Sequence, residues 1–576
     1  MKTKRFDTKE IRKGILAVLS VFFFSLEAIG QNGYLYELSN SPTQSEFKEY
    51  IIRPEIEARG YFLDNPALIH GMIEDRRYFF TDNPMRQAAR ARNLFVTAEG
   101  GLGEHEGDYL PVEGNNFRDL SVRANGYTRS ANSTFLGKVG FTMGEHKHIG
   151  WNTQRYPDLY WPYIVADSTG GNTHYEKYNI LCAYSTRIGQ TDLGVSGEYI
   201  GDFAFKQNDP RIENITTWLT LKTGAAYTYD KHLFSLGLEY TLHRQHMDVK
   251  HFRSGQFTGF FVEYGFGMYD YIHSPVFNST KQQNHINNLG VTLAFNSNPE
   301  KRLRMNVRAK YNYDRMNTEE YTYKLNLYRA STHLLNLNYG LLWNNATWGI
   351  NLLAGVDASL KNGREFLFER YVSSVVDDVD VYDYKEIGHQ DRYRLNKFKG
   401  KSSLKVSYFL NERYTFSLSG AIDYFRRNET YKDKGYEIRN ALITPSAGIG
   451  LDYGGKGLDL NLRICWGHRH SLDNVYRVGL EMEKHTEFQH AFSTYAYYGN
   501  NADIWTAELT VSRDFPFARL GLQAQMLCVR GNRLPDIRYD RDRFEHSGLG
   551  SSRYAISLDP DIHNANWTKL AVFAEF

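Results

Sequence analysis

The sequence predicts an all-β fold, a closed antiparallel transmembrane β-barrel of about 14–18 strands, with an N-terminal segment placed to plug the lumen. Three observations predict it. Apolar and polar residues alternate with period two over many stretches, a pattern that divides the two faces of a strand and would scatter charge around a helix. Aromatic residues are 15% of the 576, with Tyr 42, Phe 35 and Gly 48 against only Pro 14; barrel walls use that mixture. Finally, residues 566–576 alternate and end on Phe576.

Taken from the N-terminus, the chain opens with an export pattern. Lys2, Lys4, Arg5, Lys9, Arg12 and Lys13 precede a short apolar run at 14–24, and Ala28-Ile29-Gly30 places small residues at a cleavage site. Residues 1–30 are therefore expected to be a signal peptide, with the mature chain starting at Gln31. The run is too short to span a bilayer as a helix, which takes about 20 residues. No cysteine follows the cleavage site, which argues against a lipid anchor. Residues 31–92 are charged and weakly periodic, and form a periplasmic or plug-like segment; residues 93–576 form the barrel.

The strand pattern is clearest at 302–314. Leu303, Met305, Val307, Ala309, Tyr311 and Tyr313 share one face, and Arg302, Arg304, Asn306, Arg308, Lys310, Asn312 and Asp314 the other. Before it, Leu289, Val291, Leu293 and Phe295 alternate with small or polar residues, and Asn298-Pro299-Glu300 makes a tight turn. Further pairs follow the same plan on either side of Asn344-Asn345, Asn411-Glu412, Gly454-Gly455 and Asp514-Phe515-Pro516. Trp343, Trp348, Tyr408 and Tyr414 stand beside these turns, where an amphipathic ring meets a membrane interface. More short turns are expected at Ser130-Ala131-Asn132, Gln190-Thr191 and Asp230-Lys231. Long links are expected at 151–172, 251–284, 361–394, 470–503 and 532–559, giving the short-inside, long-outside asymmetry of such barrels. This spacing implies about 18 strands, with 257–271 a further candidate arm.

Alternation assigns Arg302, Arg304, Arg308, Lys310, Lys222, Lys405, Arg463 and Arg519 to the lumen, with Glu239, Asp357, Asp423, Asp459 and Glu508 opposing them. A formal charge of +2 leaves little long-range field. It favours an internal salt-bridged network, with a basic pore for anionic solutes as the sharper alternative. No nucleic-acid partner is implied. Asp377, Asp378, Asp380 and Asp383 read as a solvated acidic loop, because the EF-hand glycine and terminal glutamate are missing. His146/His148 and His468/His470 are pairs, and a zinc site takes three or four ligands. Cys182, Cys465 and Cys528 give no disulfide framework. Gly100-Gly101-Leu102-Gly103 reads as a strand bend. No catalytic residue, metal site or cofactor is expected, and the chain is not expected to be an enzyme.

The C-terminal strand, with Phe576, Ala574, Val572 and Leu570 on one face, resembles the β-signal read by the barrel-assembly machinery. Lys569 and Ala571 depart from that pattern. Asn65-Pro66-Ala67 ahead of the first strand resembles the long-chain fatty-acid transporter family, which implies an N-terminal hatch inside the barrel. The whole chain resembles an uncharacterised family of large Gram-negative outer-membrane barrels, a domain of unknown function, which implies location and fold. The leading expectation is a channel or facilitated transporter for a nutrient, with the hatch charges pairing with Arg304 and Arg308. A scaffold or partner subunit of a surface complex is the alternative, and a rim-located hydrolase comes third. An energised receptor is disfavoured, because the pre-barrel segment is too short for a plug domain and coupling box. Expected partners are outer-membrane lipid and lipopolysaccharide, the barrel-assembly machinery and a partner protein of the outer membrane.

Overall fold

The computed structural model describes residues 65–74, 94–107, 109–166, 170–250, 261–266, 268–271, 279–320, 324–376, 379–455, 457–478, 494–531 and 564–576, with the strand pairs 30–31, 90–91 and 538–539. The proposed signal peptide, residues 1–30, lies outside the described residues except for Gly30.

The wall runs in chain order. Its strands are β1 (Leu94–Glu106), β2 (Asn116–Arg129), β3 (Ser133–Ile149), β4 (Gly171–Ile188), β5 (Thr191–Lys206) and β6 (Arg211–Tyr229). Then come β7 (His232–Lys250), β8 (Ser279–Asn296), β9 (Leu303–Glu320), β10 (Leu325–Asn344), β11 (Trp348–Val376) and β12 (Val379–Phe409). The last six are β13 (Tyr414–Tyr431), β14 (Tyr436–Gly455), β15 (Leu458–Arg477), β16 (Ala502–Asp514), β17 (Arg519–Gly531) and β18 (Asn564–Glu575). Each pairs antiparallel with the next, and β18 pairs with β1 to close the barrel. Phe576 N donates to Leu94 O at 2.8 Å, and Leu94 N returns a bond to Phe576 O at 3.3 Å. No wall edge is left open, as hydrocarbon requires of any sheet that crosses it.

The outward face carries the apolar belt that alternation implied. Across successive strands Leu236 stands opposite Leu293, Leu293 opposite Ala309, Ala309 opposite Leu337, and Leu337 opposite Val356. Outward positions from Trp348 to Leu360 are all apolar; at roughly 3.3 Å per residue and a tilt near 40° they rise about 30 Å, a hydrocarbon thickness. At the lower end Trp348 packs on Tyr408 and Tyr414 on Tyr453, both with ring centroids 4.9 Å apart. These rings form the expected girdle beside the short turns. On the closing strand Leu570, Val572 and Phe576 point outward and exposed, and Glu575 is buried on the opposite face.

Several expectations need correction. Residues 361–394 are no loop: β11 and β12 continue through them and pair from Trp348–Tyr408 up to Val376–Val379, with three register shifts. Bulges absorb the irregular alternation that made this stretch read as a link. The candidate arm at 257–271 adds nothing to the wall. Phe261–Tyr264 and Tyr269–Tyr271 instead pair with each other and with Tyr163–Ala166 as a small inner sheet. The turn expected at Gly454-Gly455 falls two residues later, because the strand runs through Gly455 and Gly457 takes the positive φ of 75°. Not every external link is long, since 207–210 and 432–435 connect strands in four residues each. Nor is β1 bent at Gly100–Gly103. Its register with β2 is unbroken, and side chains at Gly101 and Gly103 would collide with Asp119 and Phe117.

Candidate functional site

On the outer side, chain that is not wall folds into the lumen. Among the described residues four connections do so: 109–115 after β1, with Leu110 and Val112 packed beside Ile164 and Tyr497, then 150–166 after β3, 261–266 with 268–271 after β7, and the turn of helix at 494–499 after β15. Apolar residues of the last three meet the inner wall in one cluster holding Tyr160, Tyr163, Val165, Val262, Phe266 and Tyr495, with Met247, Met316, Tyr328 and Tyr393 from the strands. Tyr163 stacks on Tyr328 with centroids 4.6 Å apart and planes within 10°. Burial holds the phenols of Tyr160 and Tyr163 well above their usual pKa, so both stay neutral. Tyr160 shares a short hydrogen bond with His243 of β7.

Polar contacts pin this lid to the wall. Glu429 on β13 is fully buried and accepts from Arg427 at 2.6 Å, Trp161 Nε1 at 2.7 Å and Tyr393 at 2.7 Å. Arg427 also lies over the Tyr498 ring, 4.9 Å from its centroid. Lys361 Nζ donates to the Leu159 and Trp161 carbonyls at 3.1 and 2.9 Å. Arg155 pairs with Asp202 at 3.1 Å, and Tyr156 donates to the same carboxylate. A buried ion pair with these extra donors is held in one geometry, and removing one partner costs about 3–5 kcal/mol.

Beneath the lid is a chamber of about 450 Å³. The wall offers it Trp218, Glu239, His243, Asp314, Lys361 and Lys397, and the lid offers Asp158, Trp161 and Tyr498. Glu239 takes Lys222 at 3.3 Å and Lys310 at 3.1 Å; Asn288 donates to Asp314. Both signs of charge therefore face one space beside two indole rings.

The inner end holds residues 65–74. The Asn65 side chain accepts from Ala67 N at 3.0 Å, an Asx turn that launches the short helix Leu68–Glu74. Asn65, Ala67, Leu68, Ile69 and His70 are all buried, and the three apolar ones cluster with Phe95, Leu136, Ala183, Leu233 and Phe573. Ser185 donates to Ala67 O at 3.0 Å, and His70 meets Thr134 at 2.9 Å. At Gly194 a side chain would overlap the backbone of Pro66 and Ala67, and at Gly224 the Asn65 amide. The two glycines leave room for the Asn-Pro-Ala turn.

A family model described as a family of unknown function (DUF6850) matches residues 86–558. The chain belongs to that family. The match takes in β1 to β17 and stops short of the closing strand. No curated protein matches the chain in sequence. Among solved structures it is similar to the FrpB iron transporter from Neisseria meningitidis, at TM-score 0.38 and 10% identity over 84% of this chain and 81% of that one. It is similar also to BauA, the ferric preacinetobactin receptor from Acinetobacter baumannii, at TM-score 0.37 and 7% identity over 84% and 80%. The alcaligin outer-membrane receptor FauA from Bordetella pertussis gives TM-score 0.36 and 11% identity over 84% and 76%.

Within this family member, the lumen candidates divide. Glu239 and Lys310 come together at the chamber floor. Arg304 is buried inside the wall, and Arg308 donates to Asn336 at 2.6 Å. Arg463 faces Glu508 across β15 and β16. Arg302 is misassigned: β9 begins one residue later, and Arg302 sits exposed on the inner turn. The hatch motif bonds to β3, β4 and β6. The charged residues of 31–92 expected to pair with Arg304 and Arg308 lie, for the most part, outside the described residues. Asp377 and Asp378 lie outside the described residues. His468 bonds to Asp503 and His146 to the Glu113 carbonyl; among the described residues no three His, Cys, Asp or Glu are grouped so as to hold a metal ion. Sequence reasoning missed Trp161, Lys361, Arg427 and Glu429. The two-residue spacing of Arg427 and Glu429 put both on one face, but nothing local linked them to Trp161.

Proposed function

We propose that this chain is an outer-membrane transport barrel, gated at both ends, that passes a small polar nutrient of mixed charge. The chamber carries this reading. It lies beneath chain that folds into the barrel from its outer side, and a wall that served only as scaffold has no need of a solvent-sized space lined by such chain. Its volume is that of sites for small organic ligands, which combine apolar and aromatic lining with a few placed polar groups. Indole and phenol rings beside Lys361, Lys397, Asp158 and Asp314 suit a solute with a flat or apolar face and both donors and acceptors. Passage, not catalysis, is the role these residues support.

Trp161→Phe tests it. The change keeps the ring and removes the donor to Glu429. A hydrogen bond to a charged group is worth about 1.5–3 kcal/mol, so the closed lid should lose roughly ten- to a hundredfold of its advantage. The variant should show more frequent openings in planar bilayers than the parent. Equal, silent traces from both would sink the gate.

A second reading has its own observation. Above Glu365 and Tyr393 the β11–β12 hairpin pairs only with itself, and it exposes Tyr371, Val372, Val375, Val381 and Ile387. Such an arm suits docking of a surface partner.

A further inference from the structure

The outer wall carries a basic patch that the lumen reading does not use. On β7 to β10 the outward residues just above the apolar belt are Arg244, His285, Arg315 and Arg329, with Asn287 and Asn317 between them. They surround an open pocket of about 330 Å³. The register sets them together: Arg244 opposite His285, Asn287 opposite Arg315, and Asn317 opposite Arg329. Arg329 donates to Asn317 at 2.8 Å and also faces Arg364, which is already engaged by Asp391 at 2.7 Å. The one acid on the pocket is Glu319, 4.0 Å from His285. Arg244 and Arg315 are exposed, and neither makes an ion pair among the described residues.

Like charges gathered on one sheet face repel, so the patch is destabilising unless an anion joins it. Its height says which anion. Leu242, Leu289 and Tyr313 end the lipid-facing apolar run on β7, β8 and β9. Arg315 lies two residues beyond Tyr313 and Arg244 two beyond Leu242, which at roughly 3.3 Å per residue on tilted strands is about 5 Å above the hydrocarbon. Headgroup phosphates sit there, and arginine binds phosphate through paired N–H donors. We infer that this patch holds the phosphate-bearing headgroup of an anionic membrane lipid whose acyl chains lie along the belt below. Asn287 and Asn317 supply donors and acceptors for hydroxyl groups of the same headgroup. The site is outside the barrel and independent of whether the lumen conducts.

The test uses the full-length protein, purified in detergent and titrated with bisphosphorylated lipid A, with its dephosphorylated form and with inorganic phosphate. Native mass spectrometry reads the bound lipid. The phosphorylated lipid should bind at least tenfold more tightly than the dephosphorylated one, and millimolar inorganic phosphate should not displace it. Arg315→Gln with Arg329→Gln should lower that affinity at least tenfold, while Arg118→Gln, an exposed arginine on β2 paired with Glu145, should leave it unchanged. Arg315→Lys with Arg329→Lys keeps the charge and should retain part of the preference. It also serves if the glutamine variant loses its folded, heat-shifted gel band. Equal binding of the two lipids, undiminished binding to the folded glutamine variant, or displacement by free phosphate would each overturn the site.

Discussion

Gly194 and Gly224 decide at the level of single atoms whether the N-terminal turn can sit inside the barrel. Both lie on wall strands where a bulkier residue would suit the sheet better, since glycine weakens a strand. Their positions are explained by the turn they admit: no Cβ at Gly194 clears the Pro66–Ala67 backbone. Backbone cannot step aside as a flexible side chain can, and overpacking of this kind costs about 1–3 kcal/mol. Gly194→Val should therefore expel the turn while the β4–β5 and β5–β6 ladders persist. In an Ala67→Cys background the thiol is shielded from a water-soluble maleimide. Adding Gly194→Val should raise its labelling about ten- to a hundredfold, the free energy of the clash expressed as exposure. Unchanged labelling would mean the turn tolerates the clash or is not held there.

Among elements, the β11–β12 hairpin is the one most separable from the barrel. β11 meets β10 only up to Glu365, and β12 meets β13 only from Tyr393. Among the described residues the backbone of the hairpin beyond pairs only with itself, and Arg329 over the Phe366 ring at 5.3 Å is a side-chain contact back to the wall, so replacing residues 366–390 by a tight turn should leave the folded, heat-modifiable barrel at parental levels. Loss of the folded band on gels would show that the arm supports the wall after all. If the docking reading holds, the same truncation should abolish recovery of a surface partner by crosslinking. The elements also show what was legible beforehand. Strands such as β9 were readable because each outward position obeys a local rule of period two. The lid was not, because its fastening joins Trp161 to Glu429 across 268 residues, and no periodicity encodes a contact of that span. The outer hairpin failed for a third reason. Water bathes both of its faces, so alternation lapses although the ladder continues.

For the whole molecule, the wall encloses chain at two levels, the outer connections and the inner turn at 65–74, with a chamber beneath the outer one. A belt that is continuous in register, aromatic girdles and hydrogen bonds from Leu94 to Phe576 give a barrel that should fractionate with the outer membrane and shift on unboiled gels. Recovery in the soluble periplasm would contradict that. The remaining question is whether the inner closure restricts flow. Irregular backbone is tolerated at membrane depth only inside protein or water, and residues 65–74 satisfy this by packing on the inner wall, with hydrogen bonds to β3, β4 and β6. Among the described residues their anchors include the Ser185, Thr134 and Ala225 contacts and an apolar cluster. Deleting residues 31–92 behind an intact export signal should thus spare the wall, whose first strand begins at Leu94. If both closures act in series, this deletion alone should raise conductance only modestly, because the Trp161–Glu429 lid still shuts the outer end. Combined with Trp161→Phe it should raise conductance by more than the two effects added. A large rise from the deletion alone would show that the outer lid is leaky and the N-terminal turn is the true gate. No rise even in the combined variant would end the transport reading and leave the docking arm as the basis for function.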